Sequence, residues 1–175
     1  MRVLSFSLLT FCILVLNACR GESSHSSPDA DAGASSVEFR LASLDGGRLG
    51  PGDFRGQVVL FDFWATWCRP CHVQADILKS IHAEFERLGV AFVAVSLGEP
   101  ESTVRRFTAK RPFGYPVLVD PVDDVSNQLG IYVLPTIMIL DSEGRVAYLH
   151  EGVSSARRLR HVLEEALKGA KTASL

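Results

Sequence analysis

The stretch that most constrains this chain runs from Val58 to Cys71. It opens on Val58-Val59-Leu60-Phe61-Asp62-Phe63, apolar except for one carboxylate, and ends on Cys68-Arg69-Pro70-Cys71. An unbroken apolar block of this length, without the alternation of a half-exposed strand, predicts a strand covered on both faces in the middle of a sheet. Beyond the cysteines, Val73, Ile77, Ile81, Phe85 and Leu88 recur every three or four positions between charged residues. That spacing predicts a helix lying on the same sheet. The two cysteines therefore fall where a buried strand gives way to a helix.

That junction has chemical consequences. Two cysteines three positions apart close almost no loop, so they staple little chain, and the pair is read as chemical in purpose. The positive end of a helix, with its unpaired N–H groups, favours a thiolate over a thiol. Cys68 is expected as the exposed first-turn nucleophile, and Cys71, one turn further in, as the buried thiol that resolves its adduct. Pro70 suits a first turn, where a missing N–H costs nothing. Arg69 places a cation beside the thiolate, so the Cys68 pKa is expected below the free-thiol value of about 8.5. Asp62 is the anomaly: a carboxylate within a buried strand is costly unless it is neutralised or has a task, and a hydrogen-bonded structural role stands beside a catalytic one.

The remaining pattern is one of alternating strands and helices. Asp45-Gly46-Gly47 signals a hairpin between two short strands. Gly89 ends the first helix, and 90–95 makes a second buried strand, giving a parallel crossover unit. A helix is expected over 101–110, a strand over 117–119 and a helix over 121–129, stopped by Gly130. Strands over 136–140 and 145–150, joined by Asp141-Ser142-Glu143-Gly144, form an antiparallel pair. Ser154 or Ser155 caps a closing helix whose stripe is Leu159, Val162, Leu163, Ala166 and Leu167. The fold class is α/β, a mixed central sheet with helices on both faces. One domain over 37–170 is expected, with a tail over 171–175.

The N-terminus reads as an address. Arg2 precedes a mostly apolar run from Val3 to Leu16, too short to span a bilayer comfortably but of the length of a signal-peptide core. Residues 1–18 are expected as the leader. Leu16-Asn17-Ala18-Cys19 resembles a bacterial lipobox, which implies lipidation of Cys19. Ordinary cleavage after Ala18 and an uncleaved anchor are the alternatives, and each exports the domain. Residues 20–36 are poor in apolar side chains and read as a flexible tether behind Cys19. Cys12 and Cys19 thus leave the redox chemistry to the other two cysteines.

The run from Phe61 through Trp64-Ala65-Thr66-Trp67-Cys68 to Cys71 resembles the active-site signature of the thioredoxin superfamily, in the form seen in its TlpA/ResA/DsbE-like extracytoplasmic branch. Leu134-Pro135-Thr136 is similar to the family's cis-proline loop, and 95–120 to the extra helix and strand of that branch. The resemblance covers 37–168 and implies a thioredoxin-like fold and a Cys68–Cys71 dithiol/disulfide pair. It also implies Trp67 as the aromatic packed before the pair, and a cis Pro135 preceded by Leu134, whose backbone meets a substrate strand. Asp62 matches the buried proton acceptor of cytosolic thioredoxins. The branch more often carries asparagine there and a glutamate where this chain has Gln74, so acid–base duty falls to Asp62. The implied function is a membrane-anchored thiol-disulfide oxidoreductase, on the periplasmic side in a Gram-negative cell. It would act on exported protein disulfides such as those of cytochrome c maturation or metalloprotein assembly, and take electrons from a membrane donor.

Other chemistries are weighed on the same residues. A disulfide-forming oxidase uses the same pair, and its direction is not legible in sequence. Cys68-Arg69-Pro70-Cys71-His72 satisfies the c-type haem attachment pattern, with Met138 as an imaginable axial ligand, but a buried strand entering the cysteines and a proline loop before Met138 argue against haem. No cofactor and no structural metal are expected, since these cysteines and His72 supply three ligands where a closed zinc site needs four. The peroxidase pattern Pro-X-X-X-Thr-X-X-Cys fails, since Phe61 and Ala65 stand where it needs proline and threonine. A non-catalytic module that binds a metal or a protein is a further alternative, and for a protein it would use Arg105, Arg106, Lys110 and Arg111 as a docking patch. The net charge of -2 on 175 residues gives no bulk attraction for nucleic acid, and a monomer is expected.

Overall fold

In the computed structural model, which describes residues 36–173, the apolar block is the strand β3, Val59–Trp64, with every residue buried. It is flanked by β4, Ala91–Leu97, in parallel register and by β6, Thr136–Leu140, antiparallel. β5, Val117–Asp120, runs parallel to β4 and antiparallel to β1, Leu41–Ser43, whose hairpin partner is β2, Arg48–Leu49. β7, Val146–Glu151, closes the other edge against β6. The sheet order is β2-β1-β5-β4-β3-β6-β7. The expected leader, Cys19 and the tether up to residue 35 lie outside the described residues, as do 174–175.

Alternation along β3 separates two faces. Phe61 and Phe63 point into a core with Phe39, Val95, Leu118 and Met138, covered by Val125 and Leu129 of α3, Asp124–Leu129. Leu60 points the other way, toward Leu78, Ile81 and Phe85 of α1, Arg69–Glu86, and Leu159 and Leu163 of α4, Ala156–Ala173. Trp64 shares that face and packs against Val104 and Phe107 of α2, Glu101–Thr108, in the segment between β4 and β5. Met138 is thus a core side chain.

Two sequence expectations change. The buried stripe of α1 is Cys71, Gln74, Leu78, Ile81 and Phe85, while Val73 and Leu88 are 53% and 56% exposed. The helix is turned so that Gln74 faces inward, because its Oε1 accepts the Ser154 backbone N–H at 2.7 Å and ties α1 to the entry of α4. The helix expected from 121 begins at Asp124. The buried Asp120 carboxylate accepts the N–H groups of Asp124, Val125 and Ser126, each at 3.0 Å, and so acts as a cap from outside the helix. Pro121 to Asp123 form the turn between them, with Asp123 at φ 60°. At the last helix Ser155 rather than Ser154 is the cap, its Oγ accepting the Arg158 N–H at 3.3 Å.

Candidate active site

The cysteines sit at the C-terminal end of β3, where parallel strands leave their carboxyl ends open and α1 begins. Cys68 is the N-cap of α1, with extended backbone, and its Sγ accepts the Cys71 N–H at 3.2 Å. One of the helix's orphan donors therefore already points at the sulfur that is to carry charge. Arg69 and Pro70 occupy the first exposed turn. Cys68 and Cys71 are joined by a disulfide, with Cα atoms 5.3 Å apart.

Cys68, expected as exposed, is only 4% accessible, against 1% for Cys71. The pair is embedded in a cluster with Trp64, Ala65, Val104 and Val117, against which Leu134 packs. The Leu134–Pro135 bond is cis, and Leu134 lies just outside the β6–β7 ladder that starts at Thr136. Thr136 steadies this loop by donating its hydroxyl to the Val133 carbonyl at 2.7 Å. Trp67, expected as the packed aromatic, is instead 70% exposed, and the aromatic that packs before the pair is Trp64. A six-residue buried strand ends at Trp64, so Trp64 still faces the core while Trp67 has already left the sheet.

Asp62 is fully buried, and neither carboxylate oxygen has a hydrogen-bond partner. It alternates with Leu60 and Trp64 on the face of β3 turned toward α1, whose inward side carries Cys71 and Gln74. Burial pushes its pKa up to about 8. Near neutral pH the carboxyl therefore holds a proton it can release, the condition for a general acid–base group. The buried hydroxyl of Tyr115 also has no partner, and burial together with the nearby Asp62 charge holds its pKa above the usual phenol range.

Sequence reasoning missed a clamp on the loop before the cysteines. The buried Glu99, just past β4, accepts both the backbone N–H of Thr66 at 2.6 Å and its hydroxyl at 2.5 Å. The Thr66 carbonyl in turn accepts from His72 Nε2 at 3.0 Å, which fixes the hydrogen on that nitrogen. The His72 ring lies 5.2 Å from that of Phe107, so His72 is half-buried and anchors the loop. A lone glutamate after a strand carries no signal of this pairing, since its partner is 33 residues away. Among the described residues no group of three or more His, Cys, Asp or Glu is placed to hold a metal ion.

A helix-capping cysteine disulfide-bonded one turn inward, on a mixed sheet and beside a cis-proline loop, defines a thioredoxin-like thiol-disulfide oxidoreductase. Comparison with known proteins agrees with that class. Residues 32–149 match the model of the AhpC/TSA family, and the chain belongs to this family. It is 30% identical over 132 residues to the thiol-disulfide oxidoreductase ResA of Geobacillus thermodenitrificans, covering 75% of this chain and 76% of that one. A putative thiol:disulfide interchange protein DsbE from Chlorobium tepidum superposes with a TM-score of 0.70 at 29% identity, over 75% of this chain and 94% of that chain. An exposed lipoprotein thioredoxin of Streptococcus pneumoniae gives a TM-score of 0.65 at 25% identity, covering 74% and 99% of the two chains. The chain is a thiol-disulfide oxidoreductase of the ResA/DsbE type.

Proposed function

We propose that this chain is a membrane-anchored reductase of exported protein disulfides, serving cytochrome c maturation or the assembly of other exported metalloproteins. The observation that supports disulfide exchange most directly is the Cys68 sulfur at the N-cap of α1, bonded to a Cys71 on the inward side of that helix, which covers the face of β3 carrying the protonatable, partnerless Asp62. The reductive direction, the substrates and the membrane electron donor rest on the resemblance to the ResA/DsbE-like branch.

In the proposed cycle, a donor thiolate attacks Cys68 Sγ and breaks the disulfide; Cys71 leaves as a thiolate and takes the Asp62 proton. A second donor thiolate frees Cys68, completing transfer of two electrons. Cys68 then attacks the substrate disulfide and expels one substrate thiolate. Cys71 returns its proton to Asp62 and attacks Cys68 Sγ, releasing the second substrate thiolate and restoring the Cys68–Cys71 bond. Leu134 lends its backbone to the substrate strand, and Trp67 offers the substrate an exposed aromatic face.

Direction is tested by the reduction potential. A value near the roughly -270 mV of thioredoxin supports a reductase, and one near the roughly -120 mV of a strong oxidant overturns it. Activation of Cys68 is tested by alkylation rate against pH on reduced protein. The helix terminus and Arg69 place its midpoint below about 8.5, and a midpoint near 9 would contradict that role.

Anchoring is assigned to a lipid on Cys19. Among the described residues no helix is long and apolar enough to cross a membrane. In cells, the wild-type protein is expected to incorporate a labelled fatty acid and sediment with membranes, and Cys19→Ser to do neither. Membrane retention of Cys19→Ser would point to an uncleaved leader.

A further inference from the structure

A recess adjoins the active site at Cys71, and the proline loop does not line it. It encloses about 280 Å³ between α1 and the α2–β5 connection, and none of Trp67, Leu134 or Pro135 lines it. Its floor includes Cys71 and Trp64, both 1% exposed. Phe107 and Phe113 wall it, with ring centroids 5.2 and 4.7 Å from the Trp64 ring. Trp64 also brings an indole N–H without a hydrogen-bond partner.

The rim has a different character. Lys79, Lys110 and Arg111 stand around it with one carboxylate, Asp76, which meets Arg111 only at 3.9 Å. Three cations against one anion give the mouth a positive field, and low-dielectric walls concentrate such a field. The volume lies at or just below the range of about 300–1,000 Å³ that holds drug-sized ligands, so it fits one or two rings rather than a folded peptide. An inorganic anion would use the rim and leave the aromatic walls without purpose. A neutral ring would do the reverse.

We propose that this recess binds a small flat aromatic carboxylate, ring against Phe107 and Phe113 and carboxylate at the Lys79–Lys110–Arg111 rim, and that its occupancy sets the reduction potential of the Cys68–Cys71 pair. The coupling follows from Cys71 being part of the floor. Opening the disulfide adds negative charge at the sulfurs, which the positive rim favours, and a carboxylate bound at that rim neutralises the field. The ligand therefore binds the oxidised state more tightly, and by reciprocity its binding makes the pair harder to reduce. A tenfold preference for the oxidised state corresponds to a potential lower by about 30 mV for a two-electron couple.

The test uses the full-length protein and 2-naphthoate as probe, with 2-naphthalenemethanol as its uncharged counterpart. Calorimetric titration of oxidised and reduced protein is expected to show one saturable site, about tenfold tighter in the oxidised state, with the potential falling accordingly at saturation. The exposed double substitution Lys110→Glu/Arg111→Glu is expected to weaken naphthoate at least tenfold while insulin-disulfide reduction persists, which shows the fold intact. The alcohol should bind at least tenfold more weakly than the acid. Absence of saturation, or binding indifferent to the double substitution or to loss of the carboxylate, overturns the site. Equal affinity for the two redox states with an unmoved potential overturns the coupling.

Discussion

Cys68→Ser is expected to bring insulin-disulfide reduction down to background, whereas Cys71→Ser stops the cycle half-way. The difference comes from the two positions in α1. A Cys68 sulfur at the N-cap receives the Cys71 N–H and faces the Leu134 loop; Cys71 lies one turn inward with 1% of its surface open. Without Cys68 no sulfur is placed to meet a substrate. Without Cys71 the first attack still occurs, but nothing displaces the product, so a mixed disulfide on Cys68 accumulates to about one equivalent per chain. Mass spectrometry of the acid-quenched variant reads that adduct directly and, in cells, identifies the substrates. Adducts forming equally on Cys71 in a Cys68→Ser variant would dismiss the assignment of roles.

Asp62→Asn is expected to act in opposite senses on stability and on turnover. The folded-state pKa of about 8 stands well above the ordinary value of 3.8. Between these values the native chain holds a proton that the unfolded chain has released. The contribution of Asp62 to stability is therefore fullest below pH 3.8, falls as the pH rises through that window, and levels off above 8. At about 1.4 kcal/mol for each unit of difference, the penalty reaches several kcal/mol at pH 8. Asparagine cannot ionise and escapes it, so the variant should gain stability over wild type from pH 4 to pH 8, measured by denaturant unfolding at fixed pH values. Its resolving step should slow by about a hundredfold, the lower end of general acid–base contributions. The pH dependence centred near 8 should vanish with it. Unchanged turnover with the same stability gain would leave Asp62 a structural carboxyl and nothing more.

Much of this was legible because it is local. The block 58–63 announced its strand, the glycine at 89 its helix end, and the position of two cysteines at a strand-to-helix junction announced the chemistry. What escaped depends on residues far apart in the chain. The facing of α1 is decided by Gln74 meeting Ser154, a partner 80 residues away, and no helical periodicity encodes it. The start of α3 is decided by Asp120, whose role as a remote cap needs the turn at Pro121–Asp123 to be known first. The Glu99–Thr66–His72 chain joins three elements through polar contacts that leave no pattern in one dimension. Two tryptophans three positions apart both belong to the signature, and only the end of β3 decides that Trp64 and not Trp67 turns inward.

The enclosure of the disulfide has a consequence for traffic in electrons. Exchange rates depend on access to the attacked sulfur as well as on thiol pKa. With Cys68 only 4% open and Leu134 packed against the cluster that holds the pair, a small thiol drifting past has little to strike. A protein that can lay a strand along the proline loop brings its own sulfur into the narrow approach. On the function proposed above, the fold serves as an insulated contact: it would pass charge to partners shaped to plug into it and lose little to the small molecules of its surroundings.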